Sequence, residues 1–272
     1  MPVYHTAAGT VEMLEWGDGP ELFVLLHAAA AGPQSLSALA TMLARPGRRV
    51  IVPALDGYGA TVMRDGADRL RAHVGVLRAC LEIYPAGPRL LFGHSMGGLV
   101  GLVAAMDNVS FDAMALYEPI VIGCLRADVP EEAALRDWDR AIIASVERCI
   151  ADGDPEAGIA AFVTAWNDVA WSALSSTARA RLIASAGQLA ADVRAVSYHE
   201  LAIERLARVR TPVVLLLQGA RSPAITHAMT AQLQALLPQT RRLVIEGCGH
   251  MGPVQLPAAI CQAVTSSHPA RA

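Results

Sequence analysis

The run from Arg89 to Met106 constrains this chain more than any other stretch. Arg89-Leu90-Leu91-Phe92 reads as a short buried strand, and Leu99 to Met106, all small or aliphatic, reads as a helix. Between them lies Gly93-His94-Ser95-Met96-Gly97-Gly98. Gly-x-Ser-x-Gly alone is a weak signal in a chain with 22 glycines. Its flanks raise its weight. A strand ending at Gly93 and a helix beginning near Met96 leave Ser95 on a sharp turn, where close packing demands residues without side chains. Such a turn lifts the Ser95 hydroxyl above the sheet edge and points the Met96 amide toward whatever Ser95 attacks.

Strand and helix patterns alternate around this unit. Val11 to Trp16 reads as an early strand, and Leu22 to Leu26 as a strand buried on both faces. A helix is expected from Gln34 to Leu43, a strand from Arg49 to Pro53, a helix from Ala67 to Tyr84 and a strand from Asp112 to Tyr117. From Pro130 to Arg208 the periodicity is helical: Glu131 to Ala151, Pro155 to Asn167, and Thr177 through Ala191 toward Leu206. Roughly eighty residues without a strand exceed an ordinary crossover. The sheet resumes at Pro212 to Gly219, followed by a helix from Pro223 to Leu237, a strand from Arg241 to Ile245 and a helix from Val254 to Ser266, with a loose tail from His268. The expected architecture is a mostly parallel, doubly wound α/β sheet of residues 1–122 and 209–272. Residues 123–208 form a helical cap inserted after the strand that ends at Glu118, over the strand ends where open α/β sheets bind ligands.

Composition narrows the partners. The 22 basic residues are all arginine, they face 25 acidic ones, and no basic cluster suggests nucleic acid. The absence of lysine also excludes a phosphate-binding Gly-x-x-x-x-Gly-Lys loop, and Gly57-x-Gly59 lacks the third glycine of a dinucleotide site. Apolar runs are too short for a membrane span, and Met1 to His5 lack the pattern of a secretory leader. Five cysteines without a Cys-x-x-Cys pair fit free thiols in a cytoplasmic protein. No metal or cofactor is expected, since Cys248-Gly249-His250 has no further ligands at zinc spacing. Oligomeric state stays open, a homo-oligomer included.

A serine needs a positioned base to become a nucleophile. Among eight histidines, His250, in a glycine-rich loop just after a late apolar strand, is the candidate. Ser95 on its turn, His250 in Gly249-His250-Met251-Gly252-Pro253, the His27-Ala28-Ala29 loop, the Asp56-Gly57-Tyr58-Gly59 loop and Glu118-Pro119 follow one another in an order that resembles the α/β-hydrolase family, in its capped esterase branch. The resemblance makes the turn at Ser95 a nucleophile elbow, leading into an elbow helix, and implies a Ser-acid-His triad. The acid's commonest place, three residues after the glycine that ends the penultimate strand, is here Ser222, which cannot serve. Family members with the acid at the end of the strand after the elbow helix point to Glu118 instead. The resemblance further implies an oxyanion hole from the Met96 and Ala29 amides, although Ala28 replaces the usual glycine and blurs the register by one residue. His27 is expected to brace its loop beside the pocket, and the Asp56 loop to brace the site. Phe162, Trp166, Trp171 and Leu174 suit either a substrate pocket or packing within the helical segment.

The expected function is cleavage of a carboxylic ester or related acyl bond of a small molecule through a Ser95 acyl-enzyme. Serine at position 95 argues against the aspartyl-ester chemistry of dehalogenases and epoxide hydrolases. The missing acid after Gly219 keeps open a catalytically inactive small-molecule receptor or scaffold. Carbon-carbon bond hydrolysis and perhydrolysis would use the same residues.

Overall fold

The computed structural model describes residues 1–64, 68–167, 169–212 and 214–267. The expected tail from His268 lies outside them, as do Ala67 and Val213 at two expected element starts. Strands β1 (Val3–His5) and β2 (Gly9–Trp16) form an antiparallel pair. Next come β3 (Glu21–Leu26), α1 (Ser37–Leu43), β4 (Arg48–Pro53), the short β5 (Val62–Met63) and α2 (Arg69–Ile83). Then follow β6 (Arg89–His94), α3 (Met96–Met106) and β7 (Ala113–Tyr117). Helices α4 (Pro130–Ala151), α5 (Pro155–Trp166), α6 (Ser176–Ala184) and α7 (Ala186–Ser197) precede the return to the sheet. The chain closes with β8 (Val214–Gly219), α8 (Ala224–Leu236), β9 (Thr240–Ile245), α9 (Gly252–Gln255) and α10 (Pro257–Ser267).

The described strands make one sheet in the order β1-β2-β4-β3-β6-β7-β8-β9, with β5 beside β2. From β4 to β9 neighbouring strands are parallel. Both faces are covered, and the two-residue period of a strand divides the core accordingly. Leu22, Val24 and Leu26 of β3 pack on the side of α2, α3 and α8, whereas Phe23 and Leu25 pack on the side of α1 and α10. This is the doubly wound α/β architecture expected from the alternating pattern. Among the described residues no helix is long and apolar enough to cross a membrane.

Two expected helices are each divided. The stretch from Thr177 breaks at Ser185, which ends α6 and precedes α7. The last helix breaks before Pro257, whose missing N–H cannot continue α9 but suits the first position of α10. Helix α2 starts where the Asp68 side chain accepts a hydrogen bond from the Arg71 amide, an N-cap. Strands β1 and β5 escape notice in the sequence because each is short and lacks an apolar run.

The elbow is the tightest place in the fold. A Cβ on Gly97 would sit 2.3 Å from the carbonyl oxygen of Leu26 in β3, one on Gly98 would sit 2.8 Å from Pro119 Cβ, and one on Gly93 would sit 2.6 Å from Gly98 Cα. Every residue of α3 is buried, which explains its lack of polar positions. The chain passes from β3 to β4 on one side and then, through α2, crosses to β6 on the other side of β3. Ligands collect at such a reversal, outside the carboxyl ends of the strands. The β3 loop carrying Ala29 and the β6 turn carrying Ser95 meet there.

Gly97→Ala should therefore cost about 3 kcal/mol or more, because the obstacle is backbone that cannot rotate away. Gly187→Ala in α7, where an added Cβ meets nothing within 4 Å, should change stability by less than about 1 kcal/mol. Urea midpoints of the two variants check this, and equal midpoints would contradict the steric account.

Candidate active site

Ser95 occupies the turn with φ 57° and ψ −118°, a conformation disfavoured for a residue with a Cβ. Its amide donates to the Tyr117 carbonyl at 2.9 Å and its carbonyl accepts from Gly98, so the strain is held by backbone bonds on both sides. The hydroxyl stands 3.0 Å from His250 Nε2. On the far edge of the ring, Nδ1 lies 2.7 Å from Glu118 Oε2. With Nδ1–H donating to the carboxylate, Nε2 offers a lone pair to the serine hydroxyl. Sequence positions 95, 118 and 250 are thus brought into one hydrogen-bonded line.

Glu118 follows β7 and is fully buried, with φ 45°. Its Oε1 accepts the Gly219 amide at 2.7 Å, and its own amide donates to Leu217. The end of β8, where an acid is more commonly found, thus supplies a backbone donor that orients a carboxylate from the neighbouring strand. Room for a side chain at Gly219 is lacking, since a Cβ would sit 2.5 Å from the Cys248 carbonyl oxygen.

The loop bearing His250 is tied from below. His94 Nε2 donates to the His250 carbonyl at 2.8 Å, the Tyr117 hydroxyl donates to the Gly249 carbonyl at 2.6 Å, and the Arg221 amide donates to the Cys248 carbonyl at 3.0 Å. Burial, and next the nearby His250, push the His94 pKa down to about 3. His94 is therefore a neutral strut rather than a second base.

The two expected oxyanion donors face the same space. Met96 and Ala29 both line a small recess with Ser95 and His250, and neither amide has a hydrogen-bond partner among the described residues. The next amide, that of Ala30, is already engaged: it donates to the Tyr58 hydroxyl at 2.8 Å. Tyr58 in turn donates to Asp192 Oδ2 of α7 at 2.6 Å. Asp192 also receives Arg69, His73 and Gln188. Burial alone would raise its pKa, but hydrogen bonds from His73, Tyr58 and Arg69 outweigh this and hold it below the usual carboxylate range. Asp56 accepts the Met63 amide and Arg69, the bracing role expected of its loop.

The recess is small, about 30 Å³, and it adjoins a cavity of about 420 Å³ lined mainly by apolar groups including Ile159, Val163, Leu174, Leu182 and Leu189. Ser95, His250, Trp166, Phe162 and Ala29 border both spaces, which puts the serine at their junction. Trp166 stacks at a tilt over His250, with ring centroids 5.2 Å apart.

Two expected pocket residues lie elsewhere. His27 is wholly buried beneath the β3 loop, donating from Nδ1 to the Ala28 carbonyl and accepting at Nε2 from the Leu55 amide, and it lines neither space. It braces the loop, and burial lowers its pKa to about 4. Trp171 also lines neither space: it sits in a short turn after α5, packed against the outer apolar cluster of the helical segment, with its indole nitrogen 3.4 Å from Glu156.

Asp139 of α4 is a member of the recess that the sequence did not single out. It is 1% exposed and its Oδ2 has no hydrogen-bond partner among the described residues. Burial raises its pKa to about 6, against smaller opposing effects of Ser197 and Arg140. Only its place at a carboxylate-poor apolar wall distinguishes it, and that depends on how α4, α5 and α7 pack.

The sequence pattern of the alpha/beta hydrolase family matches residues 23–263, and the chain belongs to that family. Solved structures repeat its fold at low sequence identity. An esterase from Exiguobacterium antarcticum superposes with a TM-score of 0.79 at 14% identity, covering 97% of each chain. A hydrolase from Pseudomonas aeruginosa PA01 gives 0.74 at 19% identity over 99% of this chain and 98% of the other. A structure described among carboxylesterases of Nitrososphaera gargenis gives 0.72 at 18% identity over 97% of each. No curated protein matches the chain in sequence.

A buried acid with a raised pKa binds its proton more tightly in the folded chain than in the unfolded one. Ionisation of Asp139 therefore removes stability as pH rises from the ordinary aspartate pKa through about 6. Asp139→Asn should be more stable than the parent by on the order of 1–3 kcal/mol at pH 7.5, with the gain vanishing near pH 4. Thermal melts of both proteins across that range check the sign.

Proposed function

We propose that this chain is a serine hydrolase that cleaves a carboxylic ester, or a related acyl bond, of a small apolar substrate. The observation that carries the reading is the line from Ser95 Oγ through the His250 ring to Glu118, 3.0 and 2.7 Å, at the junction of a small recess and a larger apolar cavity. Residues 123–208 act in this reading as a cap, with α5, α6 and α7 closing the cavity over the strand ends.

Ser95 Oγ attacks the substrate carbonyl carbon while His250 Nε2 takes the hydroxyl proton. The resulting imidazolium donates from Nδ1 to Glu118, which stays ionised and fixes the ring. Negative charge on the carbonyl oxygen is received by the Met96 and Ala29 amides, which are preorganised and free to donate. Collapse of the tetrahedral intermediate breaks the bond to the leaving group, and that group leaves with the proton from His250. Water then repeats the sequence, giving its proton to His250 and releasing the acid from Ser95. Each role uses a group already in place, and Glu118 in particular has both oxygens engaged by donors that orient it.

The same geometry favours an enzyme over an inactive receptor. Strain at Ser95 and Glu118 costs stability, on the order of 1–3 kcal/mol per residue, and backbone of this kind persists where a site needs it. Burst-phase turnover of p-nitrophenyl butyrate with one equivalent of fluorophosphonate bound at Ser95 is the expected result. Ser95→Ala should lower kcat about 10⁴-fold or more, and Glu118→Gln should lower it about 10³- to 10⁴-fold with folding intact. A Glu118→Gln enzyme within a few-fold of the parent would overturn the assignment of the acid, and an unreactive Ser95 would overturn the reaction.

A further inference from the structure

The recess beside Ser95 holds two polar groups that the reaction does not use. Asp139 Oδ2 of α4 and Trp166 Nε1 of α5 are both buried, and neither has a hydrogen-bond partner among the described residues. Both residues line the recess, together with Met96 and Ala29. Its remaining walls are apolar except for Ser95, Ser197 and His250: Ile120, Phe162, Val193 and Val196. Burying one acceptor and one donor unpaired in such a place is costly, by about 1–3 kcal/mol each when no ligand satisfies them. A fold that keeps both beside its nucleophile presents a matched pair to whatever enters.

We propose that Asp139 and Trp166 form a subsite for a hydroxyl group on the acyl part of the substrate. A hydroxyl is the smallest group that answers both at once: its hydrogen is donated to the Asp139 carboxylate and its oxygen accepts the indole N–H of Trp166. The recess is small, about 30 Å³, so beside a carbonyl oxygen it admits only a compact polar group. The side of the serine agrees as well. The recess is the space bordered by both the Met96 and Ala29 amides, whereas the larger cavity is bordered by Ala29 but not Met96. A carbonyl oxygen seated between those amides turns the adjacent acyl carbons toward Asp139 and leaves the alcohol part to the larger apolar cavity. An ammonium group would satisfy Asp139 but has no lone pair for the indole N–H, and a carboxylate would be repelled. The substrate class is thus an ester of a short hydroxy acid with an apolar alcohol.

This subsite rests on the serine-ester reading above, and its test separates the two. The kcat/KM values of methyl butanoate, methyl 2-hydroxybutanoate and methyl 3-hydroxybutanoate are measured for the parent enzyme and for Asp139→Leu and Trp166→Phe, each checked for Ser95 labelling by fluorophosphonate. The ratio of the better hydroxylated ester to the plain one should fall at least tenfold in Asp139→Leu and several-fold in Trp166→Phe, which cancels intrinsic differences in ester reactivity. A ratio unchanged in both labelled variants overturns the subsite and leaves the recess to a water molecule, with the reaction itself intact. Failure of the ester reading looks different: no turnover of any of the three and no labelling of the parent. In that event the subsite is read directly, from quenching of tryptophan fluorescence by 3-hydroxybutanoate against butanoate. Tighter binding of the hydroxy acid, lost in Asp139→Leu, supports it, and equal binding overturns it.

Discussion

The approach of α3 to β3, with Gly97 lying against the Leu26 carbonyl, is the contact on which the site depends. It sets the distance between the two loops that follow these strands, and so the distance between the Met96 amide and that of Ala29. It also forces Ser95 into left-handed backbone, because the chain must leave β6 and enter a helix without room for a wider turn. Three glycines make this possible by omission. The energetic cost is spread over the sheet: β3, β6 and β7 are almost entirely buried, and their ladders hold the turn from both sides.

Glu118 shows how a site can be rebuilt around the same geometry from a different strand. The loop after β8 has Ser222 where a carboxylate is commonly found, and Gly219 before it packs against the Cys248 carbonyl. The Gly219 amide instead becomes a donor to Glu118 Oε1, while Oε2 faces His250. Two strand ends share the work, one supplying charge and the other orientation. The left-handed backbone at Glu118 turns the side chain across β8, a direction that a regular continuation of β7 would not take.

Much of this was legible in the sequence. Continuous apolar runs disclosed the buried strands, and glycine spacing disclosed the turn at Ser95, because both signals are local. His250 was legible through its loop, and Glu118 only through resemblance, since nothing in Glu118-Pro119 announces a positive φ. His94, Tyr117 and Asp139 were not legible. His94 looks like a filler position in the elbow, yet its partner is the carbonyl of His250, far along the chain. Asp139 sits on a helix with many charges, and only the packing of α5 and α7 against it removes it from water. Trp166 and Trp171 looked equivalent, but one ends a helix that faces the serine and the other begins a turn that faces away. The division of the late helices followed from Ser185 and Pro257, where local chemistry stops a pattern that periodicity alone would extend.

The bridge from Ala30 through Tyr58 to Asp192 has a mechanical meaning. One end is the loop that carries Ala29, and the other is α7. Asp192 is wholly buried and is held also by Arg69, His73 and Gln188, so α7 cannot swing away without exposing a carboxylate and slackening the loop beneath it. The helical segment is thus pinned along one edge. Its opposite edge, where α5 and α6 face the turn from Met251 to Gln255, borders the larger cavity. Any movement of the helical segment that keeps the Asp192 bridge leaves the loop bearing Ala29 in register beneath it.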